Sequence, residues 1–311
     1  MYVVLAGGVG AARFLRGLVR AVNPRDVTVV VNVGDDLELH GLRVCPDLDT
    51  ITYTLAGVVH PAQGWGRAEE TFHVYEELAR FGAATWFRIG DRDFATHLIR
   101  TQRLRAGIPL STVTNAISAA FGLEVRLVPA TDDPVATRIR TLDGQVLHFQ
   151  EYWVREQAVP AVAEVYLQGA ERARPAPGVV EALESAEAVL VCPSNPVVSI
   201  GTILAVPGIR QALVDTAAPV VGISPIVAGK VVRGMADRLL PAVGAEVTAA
   251  GVARLYQEWL DGWVVDTADR DEAERVHLLG IQTEVTDTVM SSPEVAVALA
   301  RTTIQLAERL R

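Results

Sequence analysis

Tyr2-Val3-Val4-Leu5-Ala6-Gly7-Gly8-Val9-Gly10-Ala11-Ala12-Arg13-Phe14 opens with an apolar run, breaks into glycines and continues with helical spacing. An unbroken run of Val and Leu reads as a strand covered on both faces, which is the habit of parallel sheets. Three further runs end the same way. Val27–Val33 leads into Gly34-Asp35-Asp36, Val189–Cys192 into Pro193-Ser194-Asn195, and Val220–Ile223 into Ser224-Pro225. Helical patterns lie between them at Ala11–Val22, Glu69–Phe81, Asp93–Arg105, Val179–Ser185 and Pro207–Asp215, and a long amphipathic helix begins near Pro293. Strands alternating with helices predict a doubly wound α/β fold with a mostly parallel sheet. Ligands of such sheets sit beyond the carboxyl ends of the strands. The loops opening at Gly7, Asp35, Ser194 and Ser224 are therefore expected to meet at one crevice.

One stretch follows a different rule. Thr137–Thr141 and Gln145–Phe149 flank Leu142-Asp143-Gly144, a hairpin pattern with an Asp-Gly turn. Residues 126–168 are accordingly read as a smaller, β-rich inserted lobe, and 1–125 with 169–311 as the main domain. The whole chain has 311 residues, half of them hydrophobic and 21% charged, as in ordinary globular proteins. No apolar run approaches the ~18 residues of a membrane span. A net charge of −9 argues against a nucleic-acid groove. Cys45 and Cys192 form neither a CxxC pair nor a disulfide framework, which suits a reducing, cytoplasmic setting.

The chemistry is concentrated in the loops. Glycines at 7, 8 and 10 let backbone approach a phosphate, and the following helix offers free N–H groups. The same glycines also suit a tight turn with no ligand. Gly8-x-Gly10-x-x-Arg13 has Arg where a dinucleotide fingerprint has its third Gly. Arg13, one turn into the helix, either points back at a phosphate or lies in solvent. Asp35-Asp36, Asp47-x-Asp49 and Asp91-x-Asp93 place six carboxylates in loops of one half of the chain. Residues two apart in extended backbone face the same side, so such a pair could share a divalent cation. A helix cap, notably at Asp93, explains the same residues without metal. Arg88 and Arg92 flank the last pair, and their forks suit phosphate or carboxylate oxygens, or an internal ion pair. Ser194, Asn195 and Ser199 follow the third strand, where they could cap a helix or bind base and phosphate. The six histidines show no zinc spacing, and His97 reads as a structural residue.

Taken together, Gly7–Phe14, Val31–Asp36, Cys45–Thr50, Gly90–His97, His148–Glu151, Ser194–Pro196 and Ser224–Ile226 resemble the 2-phospho-L-lactate transferases of deazaflavin coenzyme F-420 biosynthesis. Val33-Gly34-Asp35-Asp36 and His40-Gly41-Leu42-Arg43 look closest to the bacterial, phosphoenolpyruvate-transferring branch. The resemblance implies a Rossmann-like domain with an inserted lobe, usually a homodimer, and small-molecule substrates. It also implies a reaction in which the ribityl hydroxyl of the deazaflavin Fo attacks the phosphorus of a guanosine-diphospho-activated donor. The products are GMP and coenzyme F-420-0 or its dehydro form, and Mg²⁺ is expected. Carried over by motif, Asp49 and Arg92 are the catalytic pair and contact Fo together with Asp91 and Arg88. Asp36, Asp47 and Asp49 hold the metal. Gly8, Gly10, Arg13, Ser194, Asn195 and Ser199 line the nucleotide and its phosphates. Archaeal members differ in the first loop, where Arg13 could replace a lysine. Trp65, Trp86, Phe87, Tyr152 and Trp153 are candidates for an aromatic Fo pocket. Three rivals share parts of this pattern: a regulator of the gluconeogenesis-factor type, a nucleotide-sugar transferase using Asp47-x-Asp49, and a nicotinamide dehydrogenase. Both acidic pairs count against the first, and the missing glycine against the last.

Overall fold

A computed structural model describes residues 1–311. Seven parallel strands form the central sheet: β1 (Tyr2–Ala6), β2 (Val27–Val31), β3 (Arg126–Pro129), β4 (Ala188–Val191), β5 (Val220–Ile223), β6 (Gly262–Asp266) and β7 (Gln282–Thr286). Their spatial order is β7-β6-β5-β4-β1-β2-β3. The order reverses direction between β1 and β4, so the crevice at the ends of those two strands is the topological switch point.

Both sheet faces are dry because successive side chains of one strand enter different cores. Val3 and Leu5 of β1 join a core with the helices Val179–Glu184, Ile209–Asp215 and Ala249–Tyr256. Val4 and Ala6 join the opposite one, built from α1 (Gly8–Ala21), α2 (Pro46–Leu55) and α4 (Pro293–Leu310). Between them in sequence, α3 (Asp91–Arg105) meets α2 through Tyr53 with Asp93 and Asp49 with Arg100. No single helix is long and apolar enough to cross a membrane.

The four sequence-predicted strands are present to within about two residues, and three more were not foreseen. Arg126–Pro129, assigned from the sequence to the inserted lobe, instead pairs with β2 at the sheet edge. Leu127 and Val128 are buried there, but two apolar residues between Arg126 and Pro129 are too short an apolar run to announce a strand. The lobe proper is the antiparallel sheet of Ala136–Thr141, Val146–His148 and Val162–Gln168. β6 and β7 lie toward the other edge, where Gln282-Thr283-Glu284-Val285-Thr286 is polar because much of it reaches solvent.

The lobe is fastened to the main domain through His148. Its Nδ1 accepts from the Gln150 N–H at 3.1 Å, so Nε2 carries the proton and donates to the Asp36 carbonyl at 3.0 Å. Burial, reinforced by Arg138, lowers the imidazole pKa to about 4. The folded protein thus refuses a proton that the unfolded chain accepts near pH 6.5. Stability from this residue is complete above pH 6.5 and is lost, at about 1.4 kcal/mol per pH unit, as pH falls toward 4. Urea unfolding at pH 7, 6, 5 and 4.5 should therefore show a shallower acid-side loss for His148→Gln than for wild type. Parallel pH profiles for the two proteins would exclude this role.

Candidate functional site

The strand-to-helix turn after β1 sets the geometry. Gly7 is extended, at φ −161°, and carries no side-chain cap for α1. A Cβ there would stand 2.7 Å from Ser199 Cβ and 2.8 Å from Asp47 Oδ2. At Gly10 it would meet the Pro193 carbonyl at 2.5 Å. Gly8 has φ +75°, left-handed backbone that side-chain-bearing residues rarely adopt. The absence of side chains lets the turn touch the loops after β4 and at the start of α2. The Gly7 N–H donates to Ser194 Oγ at 3.2 Å. The first turn of α1 has no acidic residue, so its N–H groups and partial positive charge face the crevice.

A cavity of about 550 Å³ opens at this point. Gly7, Asp35, Ser194 and Ser224 all line it, so the four loops do meet. Gly8, Gly10, Arg13, Arg88, Asp47, Asn195 and Ser199 line it as well. Asn195 Oδ1 caps the next helical turn, accepting from Val197 N at 2.9 Å and Val198 N at 3.3 Å, which leaves its amide nitrogen for a ligand. Among the aromatic candidates, Trp65, Phe87 and Trp153 are on the wall. Trp86 instead packs edge-on against Phe87, and Tyr152 is buried with its hydroxyl on the Ala158 and Pro160 carbonyls.

Asp35 and Asp47 are the two carboxylates of the cavity, 6% and 5% exposed. Asp47 Oδ2 accepts from Asn32 Nδ2 at 2.9 Å, and Asn32 Oδ1 in turn holds the Gly34 N–H. Burial pushes Asp47 up to about 7, against the pull of Asn32 and the Gly8 N–H. Asp35 is raised well above the ordinary carboxylate range by burial and by Asp47 beside it. Its Oδ1 has no partner. Two adjacent acidic groups, one with an orphaned oxygen, form a hard-oxygen donor set of the kind a divalent cation takes. These residues fit the Mg²⁺ that the family resemblance implies.

The other named acids are engaged elsewhere. Asp36 is buried with Oδ2 on Arg43 at 3.1 Å and does not line the cavity. Asp49 lies on the far side of α2 from Asp47. Arg100 grips both its oxygens, Nη2 on Oδ1 and Nη1 on Oδ2 at 3.0 Å. Arg100 Nη1 also donates to His97 Nδ1 at 3.1 Å, and Tyr53 donates to Asp93 at 2.6 Å. Asp49, Asp93 and His97 lie close enough to hold an ion, but the Arg100 guanidinium already occupies the positive position against Asp49. Asp91 caps the helix His73–Arg80 through Val74 N and His73 N, while Glu70 caps α3 through Arg92 N and Asp93 N. Arg92 is exposed and pairs at 3.5 Å with Glu69. Arg88 lies 3.6 Å from the Phe72 ring centre.

A nucleotide-type cavity at a switch point, with an open helix N-terminus, paired acids and an aromatic mouth, is the site of a phosphoryl-handling transferase. Comparison with known proteins agrees. The family described as 2-phospho-L-lactate transferase CofD matches residues 2–301. The chain belongs to that family. It is similar to proteins named phosphoenolpyruvate transferase from Streptomyces coelicolor (56% identical, 99% of this chain and 98% of the relative) and Thermobifida fusca (49%, 99% and 98%). One of the same name from Mycolicibacterium smegmatis is 46% identical, over 98% of each chain. Two crystal structures of the Bacillus halodurans protein BH3568, described in one as a member of the upf0052 family, share the fold. Their TM-scores are 0.65 and 0.66 at 16% and 17% identity, each over 97% of this chain and 98% of theirs.

The sequence reading did not single out Arg100, nor Arg43 and Asn32 as the partners of Asp36 and Asp47. Breaking one side of a buried ion pair strands the other charge, typically at a cost of 3–5 kcal/mol. Arg100→Met should therefore lose roughly that much stability in chemical denaturation. Asp49→Leu combined with Arg100→Met should recover most of it. A double variant no more stable than Arg100→Met would show that Asp49 draws nothing from the pair.

Proposed function

We propose that this enzyme transfers a phosphoenolpyruvyl or 2-phospholactyl group from a guanosine-diphospho-activated donor to the ribityl hydroxyl of Fo. The observation that carries the reading is the meeting of Asp35 and Asp47 with the Gly7–Gly10 turn on one cavity wall. The family membership narrows the group transferred, and the names of the relatives favour the enolpyruvyl donor.

In this reading the hydroxyl oxygen bonds to the phosphorus esterified to the C2 oxygen of the enolpyruvyl or lactyl group, and the bond from that phosphorus to the oxygen bridging to the GMP phosphate breaks. The electron pair leaves with GMP, and the hydroxyl proton is released. Such in-line transfer depends mainly on positioning and on neutralising charge. The α1 N–H groups, Ser194 and the free amide of Asn195 hold the donor's phosphates and nucleoside. Asp47, fixed by Asn32 and Gly8, and Asp35, with its unpartnered oxygen, would hold Mg²⁺. When bound, the metal supplies charge neutralisation for the diphosphate. Trp65, Phe87 and Trp153 form the surface on which the flat deazaflavin stacks, with Arg88 on the same wall. Arg92, exposed and held by one carboxylate, remains an Fo contact in this scheme. Asp49 acts through Arg100, fixing the first turn of α2 from which Asp47 projects. Both cysteines are free and buried, which suits the cytoplasm, and the homodimer implied by the resemblance belongs to the same reading.

The direct test is mass spectrometry of the product formed from Fo, GTP, the partner guanylyltransferase and either phosphoenolpyruvate or 2-phospholactate. The dehydro form of coenzyme F-420-0 is expected from the enolpyruvyl donor. Excess chelator should abolish turnover and Mg²⁺ should restore it. Asp47→Asn should stay folded and lose ~10²–10⁴ in turnover, with Fo binding, followed by deazaflavin fluorescence, little changed. A folded wild-type protein that neither binds Fo nor forms product would sink the proposal.

A further inference from the structure

One wall of the cavity comes from a segment the proposed chemistry has not used. Ile226–Val227 and Lys230–Val231 form a short hairpin, and Val231 to Ala236 continue from it along the cavity. The hairpin turn is tied down by Asp269, whose carboxylate accepts the Ala228 N–H at 2.9 Å. Ile226 is fully buried at one end of this strap. Met235 is buried at the other, in the lobe core with Ile139, Phe149 and Leu239. Between these anchors Arg233 is exposed, next to Gly234 at φ +99°. The strap thus presents one charged side chain to the cavity on a backbone fixed at both ends.

That side chain faces another of like sign. Gly64, at φ +72°, packs against the start of α1, and a Cβ there would lie 2.9 Å from Val9 Cγ1. The same Cβ would lie 3.3 Å from Arg233 Nη1 and 4.0 Å from Arg13 Nη2. Burial and then Arg13 lower the Arg233 pKa, and no carboxylate offsets them. The cavity's two acids do not pair with Arg233: Asp47 is held by Asn32, and the charged neighbour that acts on Arg233 is Arg13. A pair of guanidiniums approaching each other beside the first turn of α1, with no protein counter-ion, is a built anion site.

We propose that Arg233, carried on the strap, closes with Arg13 on a phosphate of the donor's diphosphate, in the cavity that Asp35 and Asp47 also line. The assignment rests on the transferase reading above and adds a binding residue to it. The two forks supply planar donors to the phosphate oxygens, and their charge is available where negative charge grows as GMP departs. Arg233 comes from the strap and Arg13 from α1, so two separate elements hold the diphosphate.

Calorimetric titration of wild type, R233Q, R233K and R13Q with GDP, GMP and guanosine, all with Mg²⁺, tests the clamp. R233Q should weaken GDP by about 10- to 100-fold, leave guanosine unchanged, and be partly rescued in R233K. R13Q and R233Q combined should cost less than the sum of the two, because they share one anion. The ligand-free melting temperature of R233Q should equal or exceed that of wild type, since a repulsion is removed. Wild-type GDP affinity in R233Q, an equal loss for guanosine, or a lower ligand-free melting temperature would each overturn the clamp alone. Failure of the wild-type protein to bind GDP at all would overturn the transferase reading, and the clamp with it.

Discussion

Everything at the site hangs on the lack of side chains at Gly7 and Gly10. A single methyl at either position would overlap Ser199, Asp47 or the Pro193 carbonyl by several tenths of an ångström. Because nothing intervenes, the turn after β1 touches the loop after β4 and the first turn of α2 together. That contact places the first turn of α1, the Ser194 hydroxyl and the Asp47 carboxylate around one space. A larger residue would push these loops apart and dissolve the site while leaving the sheet intact.

The second requirement is that Asp47 be held at a defined angle despite being buried beside another acid. Two constraints supply it from opposite sides of α2. Asn32, at the end of β2, donates to Asp47 directly and is itself oriented by the Gly34 N–H. On the outer side, Asp49 is locked to Arg100 of α3, two residues along the same helix. Residues two apart on a helix point roughly opposite ways, so one face of α2 is given to structure and the other to the cavity. The acidic doublet therefore divides its labour, with one member neutralised inside the protein and the other left for a ligand.

Why some of this was legible in the sequence follows from the same geometry. Val3–Leu5, Val29–Val31 and Val189–Val191 are apolar without interruption because both sheet faces are covered, and that pattern announces parallel strands. β7 is invisible because its residues meet solvent, and β3 because its four residues include Arg126 and Pro129. The glycine turn and Ser194-Asn195 were readable, since a strand ending in such residues has few other uses. The roles within Asp35-Asp36 and Asp47-x-Asp49 were not. Which acid turns inward is decided by partners outside the motif, Arg43 across the next hairpin for Asp36 and Arg100, far along the chain, for Asp49. Local spacing carries no trace of either. Arg233 was hidden for a similar reason: only the strap's two buried anchors bring it over the first helix.

The distribution of charge in the cavity follows from these placements and explains its emptiness of internal salt bridges. Elsewhere in the protein acids and arginines find one another, as Asp36 with Arg43 and Asp49 with Arg100 do. Inside the cavity they form no pairs: Asp47 packs against Gly7 with Asp35 acting on it, while Arg233 and Arg13 approach each other beside Gly64. Two buried acids side by side are costly, as their raised pKa values record, and two guanidiniums side by side add a second penalty. Direct pairing would remove both penalties, and the fold prevents it by anchoring each group on a separate element. What removes them instead is a ligand layered in the complementary sense, a cation against the carboxylates and a diphosphate between that cation and the guanidiniums. The unfavourable charge arrangement of the free protein is then returned as binding free energy only when both arrive, which couples the nucleotide donor to its metal.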